Sequence, residues 1–411
     1  DANSGFGSFS LFKNTEGTEN TGIGYTALYE NTVGNRNTAL GTRALNKNKA
    51  KGNSVAVGYE AMYYADDTTT SGSTYNTALG YQALMGSSTA SNNTGVSNTA
   101  LGESSLLGNT SGSYNIGVGP STLRVNTSGT RNIAIGQDSQ RYNTTGQYNV
   151  SIGVGALRDN VGRNGSVAIG YQSMMFANSA ASGVTYNTAV GFEALKGSST
   201  SANNTGIYNT AVGYESLSSN TSGGGGVAYG SYALSSNTSG TNNSAFGAFA
   251  LYLNTTGGEN TAIGSSALDS NTEGSSNVAN GRGALWGNTT GSNNTAIGRD
   301  ALEANTTGSN NTAIGYKSDV TSDNNTNSTA IGYLARVNSS NKIRLGNNEV
   351  SVIEGQVGFT NASDRRLKQE IKSTKYGLDE VLKLEPVDYI LKSNGLKQIG
   401  FIAQDVKPLI P

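Results

Sequence analysis

The 411-residue chain contains no cysteine and no histidine, and only 4 prolines. Disulfide bonds are therefore excluded, and the usual thiolate and imidazole ligands of structural metals are missing. A net charge of -1 offers no general attraction to nucleic acid or to an anionic membrane. No apolar run approaches the roughly 20 residues of a membrane-spanning helix. We therefore expect no cofactor, no metal site, no nucleic-acid partner and no membrane insertion.

Glycine is abundant, with 56 residues, while hydrophobic residues make up only 35% of the chain. This composition argues against one large globular core. Residues 341–411 hold 11 Lys/Arg and 9 Asp/Glu, which is 20 of the 55 charged residues (27 Lys/Arg and 28 Asp/Glu in all). We predict a boundary near residue 340. Because the first residue is not methionine, we also expect a processed or partly represented N-terminus.

A nine-residue unit recurs along the chain, as in NTALGYQAL (76–84), NTAVGFEAL (187–195) and NTAIGRDAL (294–302). Its fifth position is glycine in 19 copies, at 7, 24, 41, 58, 80, 102, 119, 136, 153, 170, 191, 213, 230, 247, 264, 281, 298, 315 and 332. Of the 18 intervals, 14 are 17 residues and four are 21 or 22. Such a period indicates a solenoid, and a coil this short suits β-strands because helical repeats need roughly 33 residues or more.

Each position of the unit makes a structural prediction. Position 2 is mostly β-branched and position 4 is apolar, as in Thr295 and Ile297. This pattern predicts a strand in which positions 2 and 4 lie on the buried face. Position 3 is always Ala, Gly or Ser, so we expect this small-residue face to pack closely against a neighbouring subunit. The glycine predicts a bend or a contact that a Cβ would obstruct. Position 9, usually Leu or Met, predicts a second apolar layer.

Turn sequences such as NTTG (143–146) separate the units. The Asn-Thr-Ser and Asn-Thr-Thr tripeptides match glycosylation sequons, but their recurrence at the period of the turn favours a role in turn geometry. With strands about 4.8 Å apart, the 19 coils predict a rod about 90 Å long. Because so thin a coil encloses no deep core, we predict lateral association, most simply into a three-fold rod.

The copies NSVAVGYEAM (53–62) and GSVAIGYQSM (165–174), with the many NTAIG copies, resemble the head repeats of trimeric autotransporter adhesins. The resemblance spans about residues 3–336 and implies a left-handed parallel β-roll and a homotrimer. Those heads commonly use shorter coils, so larger turns are expected here. The expected fold is therefore all-β: a β-solenoid of about 19 coils over residues 1–340, forming a trimeric rod, with a small α+β module at the C-terminus.

Four insertions interrupt the period, at residues 63–75, 85–97, 175–186 and 196–208. The second and fourth contain near copies, GSSTASNNTG and GSSTSANNTG. They are either lateral protrusions that bind a receptor or the product of a tandem duplication that copied an innocuous loop. Asn280 replaces the apolar residue at position 4, and we predict that it forms a hydrogen-bonded asparagine ladder between subunits.

The end of the chain has a different pattern. Residues 341–362 predict short strands that leave the solenoid as a neck or linker, and residues 363–411 predict the α+β module. Within it, the apolar spacing over 378–382 predicts a helix that ends at Pro386, followed by a strand over 387–391.

The segments SDRRLKQEI (363–371) and GFIAQDVK (400–407) are similar to the intramolecular chaperone domain at the C-terminus of endosialidases and other phage tail spikes and fibres. Members of this family assemble a trimeric β fibre and then cut themselves off. The resemblance implies that Ser363 is the catalytic serine, that Lys368 is its base, and that the bond between Ser363 and Asp364 is cleaved.

Taken together, these features predict an extracellular trimeric fibre protein, tail-fibre-like or a surface adhesin, that attaches to a cell-surface receptor or glycan. Its location would be a cell surface or the tail of a virion or injection apparatus. The alternative is a purely structural spacer whose receptor binding lies elsewhere. A glycan-cleaving fibre is disfavoured because the repeats lack paired carboxylates. Enzymatic activity is expected at most as a single-turnover Ser/Lys autoproteolysis.

Overall fold

A computed structural model describes residues 2–65, 68–177, 183–354, 378–390 and 397–406. The chain divides into two compact units, Asp1–Asn347 and Asn348–Pro411. The first unit is a parallel β-solenoid, which confirms the predicted fold class; its handedness and its assembly into trimers stay predictions.

One strand from each coil joins a single 20-stranded sheet, parallel and in register. Each strand consists of positions 2 to 4, so that Thr295–Ile297 pairs residue for residue with Thr312–Ile314. Ile343–Leu345 pairs with Thr329–Ile331 and adds a last strand to the sheet. These residues were predicted to leave the solenoid, but they belong to it. The strands are Ser4–Phe6, Thr21–Ile23, Thr38–Leu40, Val55–Val57, Thr77–Leu79, Thr99–Leu101, Ile116–Val118, Ile133–Ile135, Val150–Ile152, Val167–Ile169, Thr188–Val190, Thr210–Val212, Val227–Tyr229, Ser244–Phe246, Thr261–Ile263, Val278–Asn280, Thr295–Ile297, Thr312–Ile314, Thr329–Ile331 and Ile343–Leu345.

The interior of each coil is filled by positions 3, 8 and 9, represented by the fully buried Ala296, Ala301 and Leu302. Positions 2 and 4 point outward, and Ile297 is 41% exposed. The predicted orientation of the strand was therefore wrong, and the small-residue face packs inside its own coil and not against another subunit. The physical reason is space: once leucine occupies position 9, a 17-residue coil has room for only a small side chain opposite it.

The glycine at position 5 is required by both its conformation and its neighbours. Its φ lies between +114° and +143° in all 19 copies, a region that other residues rarely adopt. A Cβ on Gly153 would lie 2.3 Å from the carbonyl oxygen of Gly170 in the next coil. The predicted bend and close contact are both confirmed.

Two ladders of buried asparagines, neither of them predicted from the sequence, run along the solenoid. Asn132, at position 1, accepts a hydrogen bond from the backbone N–H of Asn149 (3.1 Å) and donates one to the carbonyl of Gly146 (2.8 Å). Asn143, in an NTTG turn, donates to Asn126 Oδ1 (2.8 Å) and to Gly146 O (3.1 Å). Asn126 and Asn143 are fully buried, as the turn role predicted for the sequons requires.

Shorter elements complete both units. Two-residue strands pair as Lys51–Gly52 with Gly72–Ser73, Arg163–Asn164 with Gly183–Val184, and Asp319–Val320 with Arg336–Val337, and short 3-10 turns span Ala90–Asn92 and Ser201–Asn203. The second unit contains helices Leu378–Val381 and Ala403–Val406 and antiparallel strands Val387–Ile390 and Lys397–Gly400. These bounds confirm the helix and strand predicted around Pro386.

Candidate functional site

The predicted autoproteolytic residues Ser363, Asp364 and Lys368 lie outside the described residues. Their mutual geometry, and with it the cleavage site, therefore stays a prediction.

The described parts of the C-terminal unit expose much apolar surface. Leu378 and Leu382 on the helical segment are 70% and 72% exposed, and Ile399 on the hairpin is 78% exposed. Apolar side chains gathered in so small a unit favour contacts with further polypeptide.

The largest candidate interface is the outward stripe, which we define as the side chains at positions 2 and 4 of the 20 strands. With about 4.8 Å between strands and about 7 Å between alternate residues, it covers about 600 Å². Because 12 of the 20 residues at position 2 are Thr or Ser, its apolar part is mainly the row at position 4. Asn280 is exposed within it, between Ile263 and Ile297, and its predicted ladder between subunits stays a prediction. Aliphatic members more than a third exposed include Ile23, Leu40, Leu79, Leu101, Ile135, Ile152, Ile263, Ile297, Ile314 and Ile331.

The four coils with insertions, here called the wide coils, occur as two similar pairs. In one loop, Asn93 accepts from the backbone N–H of Ser87 and donates to its carbonyl, both at 2.9 Å. In the other, Asn204 makes the same two bonds with Ser198, at 2.9 and 2.8 Å. The shared geometry favours a tandem duplication as the origin of the loops.

Exposed aromatic side chains stack along the solenoid, both in the wide coils and in regular coils such as those of Tyr232 and Phe249. Tyr59 and Tyr81 stack with ring centroids 5.4 Å apart in the first pair. Tyr171 and Phe192 stack in the second pair, and Tyr214 in the following coil continues the series, at 5.1 Å for each contact. Aromatic side chains supply much of the energy at binding surfaces, which makes these ladders candidates for attachment.

Ion pairs beside the first ladder are structural in character. Glu60 accepts hydrogen bonds from Arg43 Nη1 and Gln82 Nε2, both at 2.9 Å. Burial raises the pKa of Glu60, but the hydrogen bonds from Gln82 and Arg43 outweigh it and hold the pKa below its usual range. A carboxylate that is ionised and already paired is poorly placed to act as a general acid.

The described ranges offer neither a carboxylate metal site nor a membrane-spanning helix. No group of three or more Asp or Glu side chains there could hold a metal ion. In the same ranges, no helix combines the length and apolar character needed to cross a membrane.

Residues 363–411 match the family model described as chaperone of endosialidase. The match confirms the resemblance predicted for this segment. No curated protein shows a significant match to the chain. A β-solenoid followed by an endosialidase-type chaperone domain fits a tail-fibre-like protein.

Proposed function

We propose that three copies of this chain form an extracellular fibre that attaches to a cell or surface, and that the C-terminal module is an intramolecular chaperone that cuts itself off. The family match and the β-solenoid support a fibre with a chaperone. The observation that carries the assembly is the outward stripe, because its row of water-exposed apolar side chains at position 4 is stabilised when other subunits cover it. Three-fold order rests on the resemblance.

The trimer is tested by analytical ultracentrifugation of the full chain. Wild type should sediment as a trimer. Replacing both Ile263 and Ile297 with lysine should shift it to lower mass, because six ammonium groups would meet in an apolar interface. The matched control places lysines at Thr256 and Thr290, exposed turn positions of the same repeats, and should stay trimeric. A wild-type protein that is a stable monomer would contradict the proposal.

Cleavage would hydrolyse the peptide bond between Ser363 and Asp364, adding water so that a carboxylate and a free amine are released. Lys368 can act as a base near neutral pH only if its pKa is lowered, and the neighbouring Arg365 and Arg366 supply positive charge with that effect. A serine that attacked its own carbonyl would close a four-membered ring. The nucleophile is therefore the serine of another subunit or a water molecule that the site activates.

Denaturing electrophoresis with mass determination tests this step. Wild type should yield a fragment that ends at Ser363, whereas Ser363→Ala and Lys368→Ala should stay full length. Lys372→Ala, a lysine outside the matching motif, should still be cut. Absence of the fragment from folded wild type would refute self-cleavage and leave the fibre proposal intact.

Attachment is assigned to the aromatic ladders of the wide coils. The double variant Tyr81→Ser and Phe192→Ser should lose most binding to target cells. The control, Tyr316→Ser with Tyr333→Ser, removes a stacked pair (5.6 Å) outside the wide coils and should bind normally. Normal binding by both variants would favour the alternative, a structural spacer whose receptor-binding part lies elsewhere.

A further inference from the structure

Each pair of wide coils contains a small, partly open cavity of about 30 Å³. The first cavity is lined by Lys51, Ser54 and Thr74 among others, and the second by Arg163 and Thr185 at corresponding places. A volume of this size holds one or two water molecules or one small ion.

Arg163 occupies a position that is glycine in a regular turn. Asn160 donates to the carbonyl of Arg163 at 3.0 Å, as Asn143 does to that of Gly146 at 3.1 Å. At Gly146 a Cβ would lie only 2.3 Å from Asn143 Oδ1. A long side chain fits at Arg163 because the following coil is widened, and its residues Gly183–Val184 pair with Arg163–Asn164. The insertion thus makes room for a cation inside the solenoid.

The charge of Arg163 is buried without a counter-charge. The residue is 8% exposed, and its Nε has no hydrogen-bond partner within the described ranges. Burial lowers the pKa of Arg163, and no carboxylate opposes this effect. Lys196, which also lines the cavity, is paired with Glu193 at 2.9 Å. The inserted segment 178–182, which lies outside the described residues, is Asn-Ser-Ala-Ala-Ser and contains no acid.

The first pair of wide coils differs in this respect. Its insertion carries Asp66 and Asp67, which lie outside the described residues, and Lys51 Nζ donates to the carbonyl of Thr70 at 3.0 Å. The two cavities therefore have the same volume, but only the insertion beside the first one contains acidic residues.

Other polar groups around the second cavity already have partners. Ser166 Oγ and Thr185 Oγ1 hydrogen-bond to each other at 2.5 Å, and Asn187 Nδ2 donates to the carbonyl of Gly206 at 2.9 Å. Within the described ranges, Arg163 Nε is thus the buried donor at this cavity that is left to bind an occupant.

We propose that the cavity beside Arg163 is a binding site for a small monovalent anion, chloride in ordinary solutions. A buried cation without compensation is costly, and water fills the space but does not neutralise the charge. The anion also supplies the acceptor that Nε lacks. The site is independent of whether the fibre attaches to cells or cuts itself.

Crystals of the full chain grown in bromide give a direct test. An anomalous difference peak should lie in the cavity lined by Arg163, Ser166 and Thr185, within about 3.5 Å of the guanidinium. No such peak is expected in the cavity beside Lys51. An empty or water-filled Arg163 cavity in these crystals would overturn the proposal.

A second test compares the melting temperature of the protein in chloride and in gluconate at the same ionic strength. Gluconate is too large to enter the cavity. Wild type should melt about 1–2 °C higher in chloride, because a ligand that binds only the folded state stabilises it. Arg163→Met should lose this difference, while the matched control Lys51→Met should keep it. An equal chloride response in wild type and Arg163→Met would overturn the proposal.

Discussion

Replacing Gly153 with alanine should destabilise the solenoid far more than replacing Gly155, two residues away in the same coil. At Gly153, φ is +135° and a Cβ would lie 2.3 Å from Gly170 O and 2.6 Å from its carbon. Backbone strain of about 1–3 kcal/mol, with the shift needed to relieve this contact, gives an expected loss of about 3–5 kcal/mol. At Gly155, φ is +67° and the nearest atom is Gln172 Cγ at 3.5 Å. There the left-handed conformation costs about 1–2 kcal/mol, partly offset by about 0.4–1 kcal/mol of lost freedom in the unfolded chain.

The measurement is the urea dependence of far-ultraviolet circular dichroism, supported by the rate of cleavage by a nonspecific protease. Gly153→Ala should lower the urea midpoint strongly and open the coil to the protease. Gly155→Ala should leave the midpoint close to that of wild type. If the two variants unfold at the same urea concentration, contact between successive glycines does not limit stability, and the reasoning fails.

Two further predictions concern single side chains. Burial of Asp319 raises the pKa of its carboxyl from 3.8 to about 6, so the folded state keeps a proton that the unfolded state releases between those values. Stability should therefore fall as pH rises through this window. Asp319→Asn should gain up to about 3 kcal/mol at pH 8 but almost nothing below about pH 3 in urea titrations; a pH-independent difference would contradict this. Leu268→Ala should cost about 3 kcal/mol in the same assay because it opens a cavity at a fully buried site. Leu253→Ala, at a position 40% exposed, should cost under about 1 kcal/mol, and equal losses would refute the assigned core.

The period allowed much of the first unit to be predicted. Repeat length and residue type predict 17 residues per coil, a strand at positions 2 to 4 and a glycine bend at position 5. The structure confirms all three features. The asparagine ladders could have been predicted too, since asparagine recurs at position 1 and in the turn. Their amides bridge successive coils only because the coils stack in register, which a single unit does not show.

Which face of the strand is buried could not be predicted from the alternation of apolar residues alone. Apolar side chains at positions 2 and 4 are equally suited to a core or to a partner subunit, and a three-residue strand gives too short a pattern to choose. The deciding signal lies at positions 8 and 9, where the alanine and leucine of pairs such as Ala301 and Leu302 fill the coil. Position 3 is small because it faces them.

The candidate functional residues could be predicted from the sequence only in part. The family resemblance found Ser363 and Lys368 from short motifs, but a motif carries no distances, and the described residues do not include them. The buried charge of Arg163 was missed because its place in the turn is visible only when the coils are aligned in space. A cation at a position otherwise held by glycine was the available signal.

Because the coils stack through repeated contacts, the distance between two sites along the solenoid axis is set by the number of coils between them. Each coil offers the next coil nearly the same backbone surface that it receives, so whole coils can be gained or lost with little change in the energy of any junction. The equivalent strands Thr77–Leu79 and Thr188–Val190 of the two wide-coil pairs are six rungs apart, about 29 Å along the axis. Evolution can change that spacing only in steps of one coil. A target that engages both copies at once would therefore be selected by the separation of its own sites, and avidity would depend on a count of coils.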